Sequence, residues 1–181
     1  LFSSFIDLDL SAPAPDHSTI CRFRNELSKL KLWDELLDTL NTQLTELGIL
    51  KIKEGALIDA TIVNSPRKPH LPKVLEIADD REDERSEAQK QQESDYHQQL
   101  RYTNPGIDHE ARFVKKGKRC YYGYKHHVCT DKRGLVIKLH TTPANRNDTK
   151  ELPNLLERAS LPERTRVFAD KGYDSASNRS C

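Results

Sequence analysis

Residues 56–63 read ALIDATIV, a short apolar run with one carboxylate inside it. Its length and β-branched content predict a buried central strand rather than a helix. A strand of that kind needs helices or further strands layered against it, which points to an α/β architecture. Asp59 stands in the middle of the run. An ionised carboxylate in an apolar strand is costly unless it is paired or bound to a cation. Asp59 is therefore a salt-bridge partner, an edge residue or a ligand.

The flanking segments supply the layers. Pro13 and Pro15 punctuate the start, Asp16 or Ser18 can cap a helix, and Ile20, Phe23, Leu27 and Leu30 follow at helical spacing. Trp33, Leu36, Leu37, Leu40, Leu44 and Leu47 form a second stripe, and Gly48 suits the position after a helix. Two such helices predict a hairpin or helix-turn-helix-like unit over 1–50; periodicity alone favours a small bundle without DNA contact. Further on, CYYGYKHHVCT at 120–130 reads as a strand. Asp131-Lys132-Arg133-Gly134 reads as a turn, and LVIKLHTT at 135–142 as the returning strand. Asp148 and Glu151 precede Leu152, Leu155, Leu156 and Ala159 as in a capped amphipathic helix, with Pro153 disturbing its start. RVFAD at 166–170 is a short strand. The order of elements predicts a sheet of mixed direction.

Charge is distributed unevenly. Lys and Arg number 29 against 28 Asp and Glu, so the formal charge of +1 gives no global sign. A nucleic-acid site must then come from local clustering. Residues 79–101 carry eight acids and four bases with almost no large apolar residues, which predicts a charged surface helix with mobile ends. The stretch 111–133 reverses the sign: Arg112, Lys115, Lys116, Lys118, Arg119, Lys125, Lys132 and Arg133 face Asp131 alone. With Tyr121, Tyr122 and Tyr124 interleaved, this hairpin fits a polyanion surface, although the tyrosines also suit a core.

Other classes are weaker. No apolar run reaches the ~18 residues of a membrane span, and LFSSFIDLDL lacks the basic region of a secretory signal. The expectation is a cytoplasmic chain with reduced thiols. His126, His127, His140, Cys120 and Cys129 match no common zinc-finger spacing, and Cys129 reads as an inert core thiol. The sequence contains no Met, which leads us to expect a piece of a longer reading frame.

Asp170 ends the apolar strand VFAD. Ligands in open α/β sheets gather near the carboxyl ends of strands. If the two strands are neighbours, Asp59 and Asp170 converge. Two converging carboxylates repel unless they share a proton or hold Mg²⁺ or Mn²⁺.

Several motifs, in order, resemble those of bacterial insertion-sequence transposases of the DDE class, IS-five group. PDHSTICRFRNEL at 15–27 is similar to the family's N-terminal segment, and LIDATIVNSP at 57–66 to the strand of its first catalytic Asp. GKRCYYGYKHHVCTDKRGLV at 117–136 and TTPANRNDTKEL at 141–152 resemble its next strands and helix. VFADKGY at 167–173 resembles the strand and loop of its second catalytic Asp.

The resemblance implies a ribonuclease-H-like mixed sheet over 51–181, incomplete at the C-terminus, with a charged insertion near 67–110 and the helical unit before it. It implies metal-dependent DNA strand cleavage and strand transfer. Asp59 and Asp170 would be the catalytic metal ligands for Mg²⁺ or Mn²⁺. Arg22, Arg24, Lys115, Lys116, Lys118, Arg119, Lys125 and Lys171 would contact DNA. Asn145, Asp148 and Tyr173 would support the site, with a helix cap the competing role for Asp148. The partners implied are double-stranded DNA, as transposon ends and target, and further copies of the chain, in a nucleoid-associated location without a membrane. The family completes its site with a Glu on a later helix. No Glu follows Asp170 here, and Asp174 is the only acid there. The expectation is a truncated form without efficient transposition of its own; the alternative is an inactive DNA-binding remnant.

Overall fold

The computed structural model describes residues 15–71, 75–79 and 85–180. Pro13, residues 80–84 of the acidic run and Cys181 lie outside them. The chain divides between Gln43 and Leu44 into two compact units.

The first unit holds α1 (His17–Leu30) and most of α2 (Trp33–Glu46). Asp16 starts α1 by accepting the Thr19 amide at 2.7 Å. Lys31 ends it in the left-handed region at φ 57°, where the Leu32 amide returns to the Leu27 carbonyl. The stripes at helical spacing are largely exposed: Phe23 is 65% and Trp33 49% accessible, and Leu27 is the buried residue of α1. Two 14-residue helices offer too little surface to enclose both stripes.

The second unit is built on β1 (Ala56–Asn64), α3 (Glu87–Thr103), β2 (Arg112–Lys116), β3 (Arg119–Asp131), β4 (Val136–Pro143), α4 (Asp148–Ala159) and β5 (Val167–Ala169). The long β3 runs antiparallel to β1 over Gly123–Asp131, to β2 over Arg119–Gly123 and to β4 over Tyr124–Thr130. β5 pairs parallel with β1, from Ala56 opposite Val167 to Ile58 opposite Ala169. The sheet is therefore mixed, as the order of elements predicts. Asp131 fixes the β3–β4 turn: its carboxylate accepts the Arg133 and Leu135 amides at 2.8 and 3.0 Å, and Gly134 adopts φ 85°.

Burial on both faces of β1 does not hold. Ala56 and Ile58 are buried with Cys129, Ile137, Leu152 and Leu155, where α4 packs, while Leu57 and Asp59 on the opposite face are exposed. α4 covers one side of the sheet, and successive strand residues alternate between sides. Pro153 lies inside α4 without ending it. A proline leaves the carbonyl four residues earlier without its helical donor. Here Asn178 Nδ2 donates to that carbonyl, Thr149 O, at 2.8 Å.

The acidic insertion is more than a solvated helix. Ser86 and Gln89 form a capping box at the start of α3. Glu93 and His97 are buried, and Arg85 pairs with Glu93 at 2.9 Å. Burial alone would raise the Glu93 carboxyl, but His97 and Arg85 outweigh it and hold it below its ordinary range. Tyr96 packs against a second core of Ile107, Ala111, Phe113 and Tyr122.

Candidate active site

Asp59 and Asp170 meet at one cleft. The last β1–β5 pair is Ile58 with Ala169, so the two carboxylates occupy the next position on each strand. Paired strands run about 4.8 Å apart. β5 ends there, and the chain turns into a single 3₁₀ turn, Lys171–Tyr173, which Asp170 caps. Asp170 Oδ1 accepts the Lys171 amide at 2.6 Å, and Asp59 Oδ1 accepts the Ala60 amide at 2.8 Å. Among the described residues neither carboxylate joins a salt bridge. Asp59 is exposed, contrary to the expectation of a carboxylate buried in its strand.

The cleft measures about 590 Å³, and Lys116, Asp148 and Lys171 line it together with the two aspartates. Solvated carboxylate oxygens suit a hard divalent cation. Asp148 is a different kind of acid. Asn147 caps α4, and Asp148 follows in its first turn. Its Oδ1 lies 2.9 Å from Lys125 Nζ, which also donates to Arg146 O at 2.9 Å. Among the described residues no three His, Cys, Asp or Glu side chains form a group fit to hold a metal ion.

Beneath the cleft lies a polar network that sequence patterning did not reveal. His127 is fully buried. Its Nδ1 lies 3.0 Å from the Tyr173 hydroxyl, and its Nε2 lies 3.1 Å from Thr142 Oγ1. Burial, and then the Lys125 charge, push the imidazole down to about 4, so it is neutral at neutral pH. One signal bears on it: Lys125, His127 and Cys129 share a face of β3, and Cys129 reads as core. Burial pushes the Cys129 thiol up to about 11.

The basic residues divide. Arg22, Arg24, Lys115, Lys116, Lys118, Arg119 and Lys171 are exposed, and Lys116 and Lys171 reach the cleft. Lys125 does not fit a DNA contact: it is 1% accessible and its ammonium is turned inward to Asp148. The tyrosines follow the core reading in part. Tyr122 donates to Asp108 O at 2.7 Å, Tyr124 donates to the Asp108 carboxylate at 2.7 Å, and burial pushes the Tyr122 phenol up to about 12. Asn145 faces Glu93, at 3.3 Å, rather than the cleft.

The mixed sheet brings Asp59 of β1 and Asp170 after β5 to one cleft, and sequence comparison gives the family. The family model described as the transposase DDE domain matches residues 51–180, and the chain belongs to that family of insertion-sequence transposases. A relative described as "Transposase for insertion sequence element IS1106", from Neisseria meningitidis serogroup B, is 41% identical over 160 residues. That alignment takes in 87% of this chain and 49% of the relative. The chain spans about half the length of that relative. No solved structure matches it. No helix among the described residues is long and apolar enough to cross a membrane.

Proposed function

We propose that Asp59 and Asp170 are the metal-holding acids of a site at which an insertion-sequence transposase cuts and joins DNA. The observation that carries this reading is their register: they are consecutive to a paired position on neighbouring parallel strands and line one cleft. The family generally uses divalent metal ions. When bound, Mg²⁺ or Mn²⁺ supplies charge stabilisation for the attacking and leaving oxygens of an in-line displacement. The chain's own residues supply the frame. Asp59 and Asp170 present oxygen donors from a rigid strand and a capped turn. Lys116 and Lys171 set cationic groups in the same cleft, placed to hold the DNA backbone beside the carboxylates. Asp148, neutralised by Lys125, orients and does not ligate.

The pairing of β1 with β3 on one side and parallel β5 on the other supports a ribonuclease-H-like reading of 51–181. Double-stranded DNA is the proposed partner. Arg22 and Arg24 of the helical unit, and Lys115, Lys118 and Arg119 of the β2–β3 hairpin, are its proposed backbone contacts.

Calorimetric titration with Mn²⁺ and Mg²⁺ tests the metal site. The chain should bind, and Asp59→Asn and Asp170→Asn should each lose the binding heat. Absence of binding by the parent chain, or equal binding by both variants, refutes the assignment.

A further inference from the structure

We infer that Tyr173 and His127 form a positioning tie that holds the Asp170-bearing turn level with Asp59. The tie's consequence for metal rests on the two-carboxylate reading above; the tie itself does not.

Asp170 sits on a turn that only three paired residues of β5 anchor to the sheet. Such a short strand leaves the turn's height and tilt weakly determined. Tyr173, the last residue of the turn, is 2% accessible. Its phenol reaches His127 on β3, which pairs in register with Ala60, the residue after Asp59. The hydrogen bond therefore spans from the Asp170 turn to the strand beyond β1, at the level of the first carboxylate. Ala60 is small and packs against the same core as Tyr173, which leaves room for the ring.

Both ends of the tie are fixed. Thr142 Oγ1 holds the far nitrogen of His127. A neutral imidazole donates from one nitrogen and accepts at the other, and the two hydroxyls can match either tautomer. Asn178 Nδ2 donates to Tyr173 O and to Thr149 O, both at 2.8 Å, so the turn is also fastened to α4. Asp148 Oδ1 lies 4.0 Å from His127 Nδ1 and places a lysine-compensated charge beside the imidazole. A ring against the core would need none of these polar groups. Thr142 and Asp148 flank the imidazole while Asn178 holds the Tyr173 backbone, so both partners of the His127–Tyr173 bond are placed from outside, which is what a positional role requires.

The test uses the 181-residue chain with Tyr173→Phe, which keeps the ring and removes the hydroxyl, and His127→Gln, which keeps hydrogen-bonding capacity. Amide exchange is measured at Tyr173 and Asp174, whose N–H groups bond to Asp170 O and Lys171 O. Mn²⁺ affinity is measured by calorimetry on the same samples. One lost hydrogen bond should speed those two amides about five- to tenfold and weaken Mn²⁺ binding by a similar factor. Exchange at Ile58 and Leu155 should not change. His127→Gln should fall between Tyr173→Phe and the parent on both readouts. Asp59→Asn should lose Mn²⁺ while leaving the turn's exchange as it is. Unchanged exchange in Tyr173→Phe overturns the tie, and faster exchange with unaltered Mn²⁺ affinity overturns its consequence for metal. If the parent binds no Mn²⁺, the two-carboxylate reading fails separately, and the tie stands or falls on the exchange rates.

Discussion

Lys125→Met is the sharpest probe of how the cleft floor is built. Met preserves most of the stem's volume and removes the charge. In the native chain the ammonium is 2.9 Å from Asp148 Oδ1 and 2.9 Å from Arg146 O, with Lys125 1% accessible. Removing one partner of a buried pair costs roughly 3–5 kcal/mol, because the other charge stays desolvated. Asp148 lies in the first turn of α4, and the helix N-terminus favours a carboxylate by up to about 1 kcal/mol. The expected loss is therefore about 2–4 kcal/mol.

Urea unfolding reads this directly. With a slope near ~2 kcal/mol/M, the midpoint should fall by about 1–2 M. The double variant Lys125→Met/Asp148→Asn leaves no buried charge at the site and should recover most of the loss. A cycle with the two single variants should give a coupling above ~1.5 kcal/mol. A midpoint shift below about 0.3 M in Lys125→Met would mean that Asp148 is compensated by something other than this lysine. A double variant no more stable than the single one would show that packing, not charge, is what Lys125 contributes.

Two further outcomes follow from the same floor and the strand above it. Burial holds the folded-state His127 pKa at about 4, below its ordinary 6.5, so between those values the unfolded chain carries a proton that the folded chain does not. Its contribution is complete above pH 6.5 and is lost as the pH falls towards 4, by about 3 kcal/mol in all; thermal melts of His127→Gln should lack this limb, and a limb unchanged in the variant refutes the assignment. At Gly123 a Cβ would collide with the Val63 carbonyl oxygen and come within 2.9 Å of the Ser65 amide nitrogen, so both obstacles are backbone. Gly123→Ala should cost at least ~1–3 kcal/mol in the same urea assay, and a neutral effect would mean that β1 and β3 separate freely at that end.

The strands that sequence patterning reveals are those whose own residues carry the signal. β3 and β4 announce themselves through β-branched and aromatic runs and the Asp131–Gly134 turn, and β5 through VFA. β2 does not. Arg112–Lys116 has an apolar pair between charges, and its strand character comes from pairing with Arg119–Gly123. The one-sided burial of β1 is likewise hidden, because an apolar strand reads the same whether one or both faces are covered. In α3 the composition reads as solvated, yet Arg85 and Glu93 pair across the helix start inside the protein. Composition cannot tell a buried pair from two exposed charges.

The candidate site divides along the same line. Asp59 and Asp170 stand out in the sequence because each interrupts or ends an apolar strand, and the structure brings them to one cleft although Asp59 lies on an exposed face. Lys125 does not, because a lysine among eight bases in a basic hairpin looks like its neighbours. Period-2 alternation contains the distinguishing information. Once Cys129 is assigned to the core, the same face must carry His127 and Lys125, and a buried lysine demands an acid. The acid is Asp148, 23 residues away on α4, where a capping role alone would leave its burial unexplained. Buried polar groups this close to two exposed carboxylates cost stability that an apolar floor would not. Their presence beneath the cleft is understandable if what they provide is position: a fixed height for the turn that carries Asp170.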